Sequence, residues 1–175
     1  MAQVQKVNPS APEEGDALYL MVGDIYFGDG YRMLKTLLGS CIAVTLWHKE
    51  RKLGGMCHIQ LPNSHDASEE AKADSNRYAD NAIHTFLKYI KQKDTVPKEY
   101  RVGLYGGGKM FSTVNNQGNA DIGLRNADAT RNLLKQYGFR IFAEDVGEPK
   151  YRHIHLDLAN GHVSVNSTAV DDTMG

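Results

Sequence analysis

Tyr31-Arg32-Met33-Leu34-Lys35-Thr36-Leu37-Leu38, Ile42-Ala43-Val44-Thr45-Leu46-Trp47-His48 and Leu53-Gly54-Gly55-Met56-Cys57-His58-Ile59-Gln60-Leu61 follow one another closely. Only Gly39-Ser40-Cys41 and Lys49-Glu50-Arg51-Lys52 lie between them. Each run has strand length, is largely apolar and is bounded by turn residues, so three strands are expected in succession, the last ended by Pro62. Upstream, Ala17 to Val22 and Ile25 to Phe27 read as short strands separated by Gly23-Asp24 and closed by Gly28-Asp29-Gly30. The first half of the chain is therefore β-rich.

Beyond a polar loop from Asn63 to Ser75 the period changes. Ala79, Ala82, Ile83, Phe86, Leu87 and Ile90 recur at the i, i+3, i+4, i+7 spacing of an amphipathic helix beginning near Asn76, with Asp74 or Ser75 as N-cap. Arg101 to Tyr105 reads as a strand running into Gly106-Gly107-Gly108. A second helix is expected from Leu124 to Tyr137, stopped by Gly138. Phe139 to Val146 reads as a strand. Tyr151 to Leu158 and His162 to Ser167 read as a hairpin on an Asn160-Gly161 type I′ turn. Strands first, then helix, strand, helix and strands, predict an α+β fold, or layered α/β sandwich, rather than a doubly wound parallel sheet. The expected unit is a single domain over 17–167 with a mixed β-sheet core and two main helices. Residues 1–16 and 168–175 are expected to be flexible.

The 175 residues suffice for one domain with its own core, and the formal net charge of −1 without a Lys/Arg block disfavours nucleic acid and anionic membranes as partners. The first sixteen residues lack the apolar stretch of a secretory signal, and no run has membrane-spanning length. With two cysteines and no export signal, a cytoplasmic setting with Cys41 and Cys57 as free thiols is expected.

Cys41 follows Gly39-Ser40 at a strand junction, where an open turn gives a thiol room for a substrate carbonyl and nearby N–H donors. A buried cysteine acting as a small hydrophobe is the alternative. His58 lies seventeen positions later. Alternation puts Met56, His58 and Gln60 on one strand face and Cys57, Ile59 and Leu61 on the other, so Cys57 reads as core packing and His58 as a potential base for Cys41, with a hydrogen-bonded core or surface histidine as the alternative. Gly103-Leu104-Tyr105-Gly106-Gly107-Gly108-Lys109 follows the phosphate-loop pattern until Met110 replaces the Mg²⁺-binding hydroxyl. Close backbone approach at a strand end is the simpler use of those glycines. His153 and His155 share a strand face but lack further ligands at motif spacing, so they read as surface histidines.

Thr36-Leu37-Leu38-Gly39-Ser40-Cys41, Gly54-Gly55-Met56-Cys57-His58-Ile59-Gln60-Leu61-Pro62, Gly106-Gly107-Gly108-Lys109-Met110-Phe111, Ile122-Gly123-Leu124-Arg125-Asn126 and Ala143-Glu144-Asp145-Val146-Gly147 together resemble the CheD family of chemoreceptor glutamine deamidases. The resemblance runs from about Leu18 to about Val165. It implies a layered α/β fold related to deamidating bacterial toxins, hydrolysis of receptor glutamines to glutamate, and no metal or organic cofactor. The implied partners are the chemoreceptor cytoplasmic domain and a CheC-type phosphatase. It also implies Cys41 as nucleophile, His58 as its histidine and a threonine upstream as third residue. Ungapped alignment puts Lys35 at that third position, with Thr36 one residue closer to Cys41; a backbone bulge would be needed to give Thr36 the role. A non-catalytic adaptor on the same fold is the competing reading.

Overall fold

The computed structural model describes residues 3–5 as backbone, then 16–65, 67–72, 75–110 and 121–171. Among the described residues, ten strands form two sheets. Six of them, β1 (Gln3–Gln5), β3 (Ile25–Gly28), β6 (Leu53–Ile59), β5 (Ile42–His48), β7 (Arg101–Gly106) and β8 (Ile141–Val146), make one sheet in that spatial order. The other contains β10 (Val163–Ala169), β9 (Lys150–Asp157), β4 (Met33–Leu38) and β2 (Ala17–Tyr19). Pairing is antiparallel except for β2 with β4 and β7 with β8. A parallel pair cannot be joined by a tight turn, and helix α3 (Ile122–Gln136) lies in the β7–β8 crossover. This is an α+β domain with mixed sheets. Within the segment read as flexible, Gln3–Gln5 pairs with β3.

The larger sheet is the middle of three layers. On one side Tyr26, Ala43, Trp47, Met56 and Tyr105 meet Leu34, Leu38, Ile154 and Leu156 of the smaller sheet. On the other, Phe27, Val44, Leu46, Cys57, Ile59 and Leu104 meet helix α2 (Ala79–Gln92) and α3. Because β5 is covered on both faces, all seven of its residues are buried, which is why it reads as a continuous apolar run.

The α2 stripe Ala79, Ala82, Ile83, Phe86, Tyr89 and Ile90 is buried as its spacing predicts, with Phe27 stacked 5.9 Å from the Tyr89 ring. Its start differs from expectation. The helix begins at Ala79, and Tyr78 occupies the N-cap without a side-chain bond, because Ser75 to Tyr78 turns against the end of β6. Asp74 lies outside the described residues. Helix α3 starts earlier than predicted, its N-cap Asp121 accepting from the Leu124 N–H at 3.0 Å, and it ends before Gly138 at φ +85°. The β9–β10 hairpin forms, but not on a type I′ turn. Only Gly161 has positive φ, and Asp157 and Gly161 close a wider loop by accepting and donating across 158–161.

Candidate active site

The turn Gly39-Ser40-Cys41 carries the chain from β4 in the smaller sheet to β5 in the larger one. It therefore stands at the seam where the two sheets part. Alternation along β4 turns Leu34, Thr36 and Leu38 inward and leaves Lys35 and Leu37 on the outer face. The β4–β9 register runs without a shift through Lys35↔His155, Thr36↔Ile154 and Leu37↔His153. The bulge invoked to bring Thr36 round is not there and is not needed: ordinary parity already aims Thr36 between the sheets. Lys35 instead shares the outer face with His155, whose pKa is lowered by partial burial and by the Lys35 charge. His153 lies on that face too, and among the described residues no cluster of three metal-ligand types forms.

Thr36, only 1% exposed, places its Oγ1 2.7 Å from His58 Nδ1 and 2.8 Å from the Leu20 carbonyl. A carbonyl only accepts, so the hydroxyl proton goes to Leu20 and the Thr36 oxygen accepts from Nδ1–H. That assigns the tautomer and leaves Nε2 with its lone pair. Burial pulls the His58 pKa down from 6.5 to about 4, with the Leu20 carbonyl opposing the shift, so the imidazole is neutral at physiological pH.

His58 stands across from Ala43 in the β5–β6 register, and Ile42 across from Ile59. Cys41 immediately precedes Ile42, where that register ends, and packs on the inter-sheet side, the side on which His58 meets Thr36. Cys41 is partly buried and packs against the inter-sheet core. No hydrogen bond joins its Sγ to His58 among the described residues. Burial raises the Cys41 pKa and the Arg77 charge lowers it. Cys57 faces the helices, fully buried, with its thiol pushed up to about 12 by desolvation. Both cysteines are free.

The Gly106-Gly107-Gly108 run locks the Gly39-Ser40-Cys41 turn in place. Gly107 N–H donates to the Cys41 carbonyl and Gly108 N–H to the Gly39 carbonyl, each at 2.9 Å. A Cβ on Gly106, at φ +107°, would stand 2.2 Å from the Cys41 carbonyl oxygen, so only glycine fits. These N–H groups are therefore engaged with the protein's own backbone rather than turned toward a phosphate. The nucleotide-loop reading fails on that ground. Arg152, fully buried, steadies the same turn by donating to the Gly106 and Gly147 carbonyls and pairing with Asp145 at 3.0 Å.

Asn126 is a site residue to which sequence reasoning gave no role. Its Nδ2 donates to the Ser40 carbonyl at 3.1 Å and the Gln60 carbonyl at 2.9 Å, clamping the cysteine turn to the end of the histidine strand. The side chain is completely buried, and its Oδ1 has no partner among the described residues. A signal was present: Asn126 falls on the stripe Gly123, Ala127, Thr130 and Leu134, where a polar amide needs a reason.

Comparison with known proteins agrees with this arrangement at the level of family. The profile for CheD, described as chemotactic sensory transduction, matches residues 60–167. A Chromobacterium violaceum protein named "Probable chemoreceptor glutamine deamidase CheD 1" is 34% identical over 161 residues, 92% of this chain and 82% of the relative. Similarly named proteins of Pseudomonas fluorescens and Methanococcus maripaludis are 37% and 36% identical, spanning 83% and 85% of this chain and 81% and 93% of their own lengths. The chain belongs to the CheD family. A solved structure of the hypothetical protein YfiH from Bacillus licheniformis aligns with a TM-score of 0.42 at 14% identity, covering 75% of this chain and 59% of that one. Among the described residues no helix is long and apolar enough to cross a membrane.

Proposed function

We propose that this protein hydrolyses glutamine side chains of chemoreceptors to glutamate, working in the cytoplasm on the receptor's cytoplasmic domain. The observation that carries the reading is the buried Thr36–His58 contact on the face that Cys41 shares, in a chain whose family relatives bear the name of that activity. As the thiol attacks the amide carbon, its proton passes to His58 Nε2 and the carbonyl π electrons move to oxygen. The tetrahedral anion collapses, the C–N bond breaks, and the proton on Nε2 goes to nitrogen, which departs as ammonia. Water then attacks the thioester, giving a proton to Nε2. The C–S bond breaks and that proton returns to sulfur. The net change is amide plus water to carboxylate plus ammonium.

Ser40 and Cys41 N–H groups donate to no carbonyl among the turn bonds of the described residues, which suits them to receive the developing oxyanion. Thr36 holds the imidazole in the tautomer that presents Nε2. A neutral imidazole beside a protonated thiol makes His58 a general base, not half of a resting ion pair. Incubating the protein with receptor cytoplasmic domains and measuring the amide-to-acid mass change tests the proposal; receptor binding without conversion under reducing conditions sinks it. One observation favours the adaptor alternative: Cys41 and His58 share no hydrogen bond. A thiol and base often close to bonding distance only with substrate bound. A CheC-type phosphatase is proposed as a second partner on family resemblance, and co-purification tests it.

A further inference from the structure

Cys41 must become a thiolate where burial disfavours charge and where its imidazole neighbour is uncharged above about pH 4. A fixed cation at the mouth would offset that cost. The Arg77 carbonyl accepts from the Gln60 and Leu61 N–H groups at 2.8 and 3.1 Å, docking the segment before α2 onto the end of β6. Its guanidinium Nη2 donates to Gln60 Oε1 and lies over the Tyr78 ring, 5.8 Å from guanidinium carbon to centroid. Gln60 directly follows β6, two residues after His58, and its carbonyl shares the Asn126 clamp with that of Ser40, the neighbour of Cys41. Backbone docking and the Gln60 contact thus hold Arg77 at the end of β6 that Asn126 ties to the Cys41 turn.

Other charged groups stand around the seam. Before β3, Asp24 Oδ2 accepts from the Met21 N–H, while its buried Oδ1 has no hydrogen-bond partner among the described residues. After β7, Lys109 is exposed, its N–H bonded to the Glu148 carbonyl. From β9, Arg152 is neutralised by Asp145, and Lys150 pairs with Asp145 and Glu148. Lys35 of β4 is on the outer face. Among the described residues, burial raises the Cys41 pKa and the Arg77 charge opposes that rise.

We propose that Arg77 is the cation that stabilises the Cys41 thiolate, with Gln60 holding its guanidinium at the site mouth. The role rests on reading Cys41 as the nucleophile. Arg77 itself touches no reacting bond and acts on the thiol by charge.

The test is the pH dependence of Cys41 alkylation by iodoacetamide, followed by peptide mass spectrometry on the intact protein without receptor. Arg77→Ala should slow alkylation roughly three- to tenfold at pH 7, the effect of one nearby partly solvated charge, and move the profile to higher pH. Arg77→Lys should recover most of the rate. An Arg77→Ala profile superimposable on wild type overturns the proposal, and so does a lysine variant as slow as the alanine variant, since then charge is not the cause. Wild-type conversion of receptor glutamine is assayed separately; its absence would sink the deamidase reading while leaving the alkylation result intact.

Discussion

The two faces of the six-stranded sheet are built to opposite specifications, and the two cysteines mark the difference. Toward the helices, Phe27, Val44, Leu46, Cys57 and Leu104 form an apolar core, with His48 at its edge against the Tyr100 ring, its Nδ1 accepting from the Arg51 N–H. Toward the second sheet, Thr36, His58, Thr45, Tyr105 and Arg152 stand among the apolar residues. Burying such groups costs free energy unless each is hydrogen-bonded, and here Thr36, His58 and Arg152 each have partners. One face holds the fold. The other carries the polar groups that the proposed chemistry uses.

Removing the thiols separates the faces most sharply. Cys41→Ala should abolish glutamine conversion while leaving receptor binding and thermal stability near wild type, because it removes the sulfur proposed as the nucleophile, which sits at an edge. Cys57→Ala should do the reverse: activity retained, with stability lowered by about 1–2 kcal/mol from the small void it leaves in a packed core. In competition labelling near neutral pH, Cys41 should react far faster than the fully buried Cys57. Equal labelling, or activity surviving Cys41→Ala, would erase the distinction.

Thr36→Ala attacks the chemical face from within. It leaves the Nδ1–H of His58 and the Leu20 carbonyl without their shared partner inside the protein, a loss of about 1–3 kcal/mol in stability. Turnover should fall by more than that penalty alone explains, since the imidazole loses the bond that fixes its tautomer. Thr36→Ser keeps the hydroxyl and should restore most of the turnover. Serine and alanine variants of equal activity would remove Thr36 from the mechanism.

Acid should expose the same face through His58. Its pKa is about 4 in the folded protein and near 6.5 when unfolded, so between those values the unfolded chain binds more protons. The stabilising contribution is complete above pH 6.5 and is lost as pH falls toward 4, by about 3 kcal/mol. Denaturant midpoints measured across that window should decline for wild type and flatten in His58→Gln. Parallel curves for the two proteins would show that another group controls the acid limb.

Much of this contrast was readable in the chain. Period-2 alternation put His58 and Cys57 on opposite faces of β6, and the continuous apolar run of β5 signalled a strand covered on both sides. The helical stripe of α2 was equally plain, its start was not, since Tyr78 caps without a side-chain bond and gives no local signature. What stayed hidden depends on contacts between segments far apart in sequence. Asn126 clamps Ser40 and Gln60 from 86 and 66 residues away, and Arg77 meets Gln60 through its carbonyl and its guanidinium from beyond the polar loop. The third site position illustrates the limit of ungapped reading. Counting back from Cys41 favoured Lys35, whereas the pleat of β4 decides which side chain faces His58, and it selects Thr36.

Lys35→Ala gives the smallest expected effect and the cleanest check on that parity. Lys35 pairs in register with His155 on the outer face, separated from His58 by the thickness of the smaller sheet. A partly exposed lysine there contributes mainly solvated charge, so stability should change by no more than about 0.5 kcal/mol. Turnover should stay near wild type, and the Cys41 alkylation profile should not move. One local change is expected: the Lys35 charge holds the His155 pKa down, so its removal should let His155 titrate at higher pH by NMR. If Lys35→Ala instead slowed Cys41 alkylation while His155 titrated unchanged, the lysine would belong to the chemical face, and the assignment of Thr36 to it would fail.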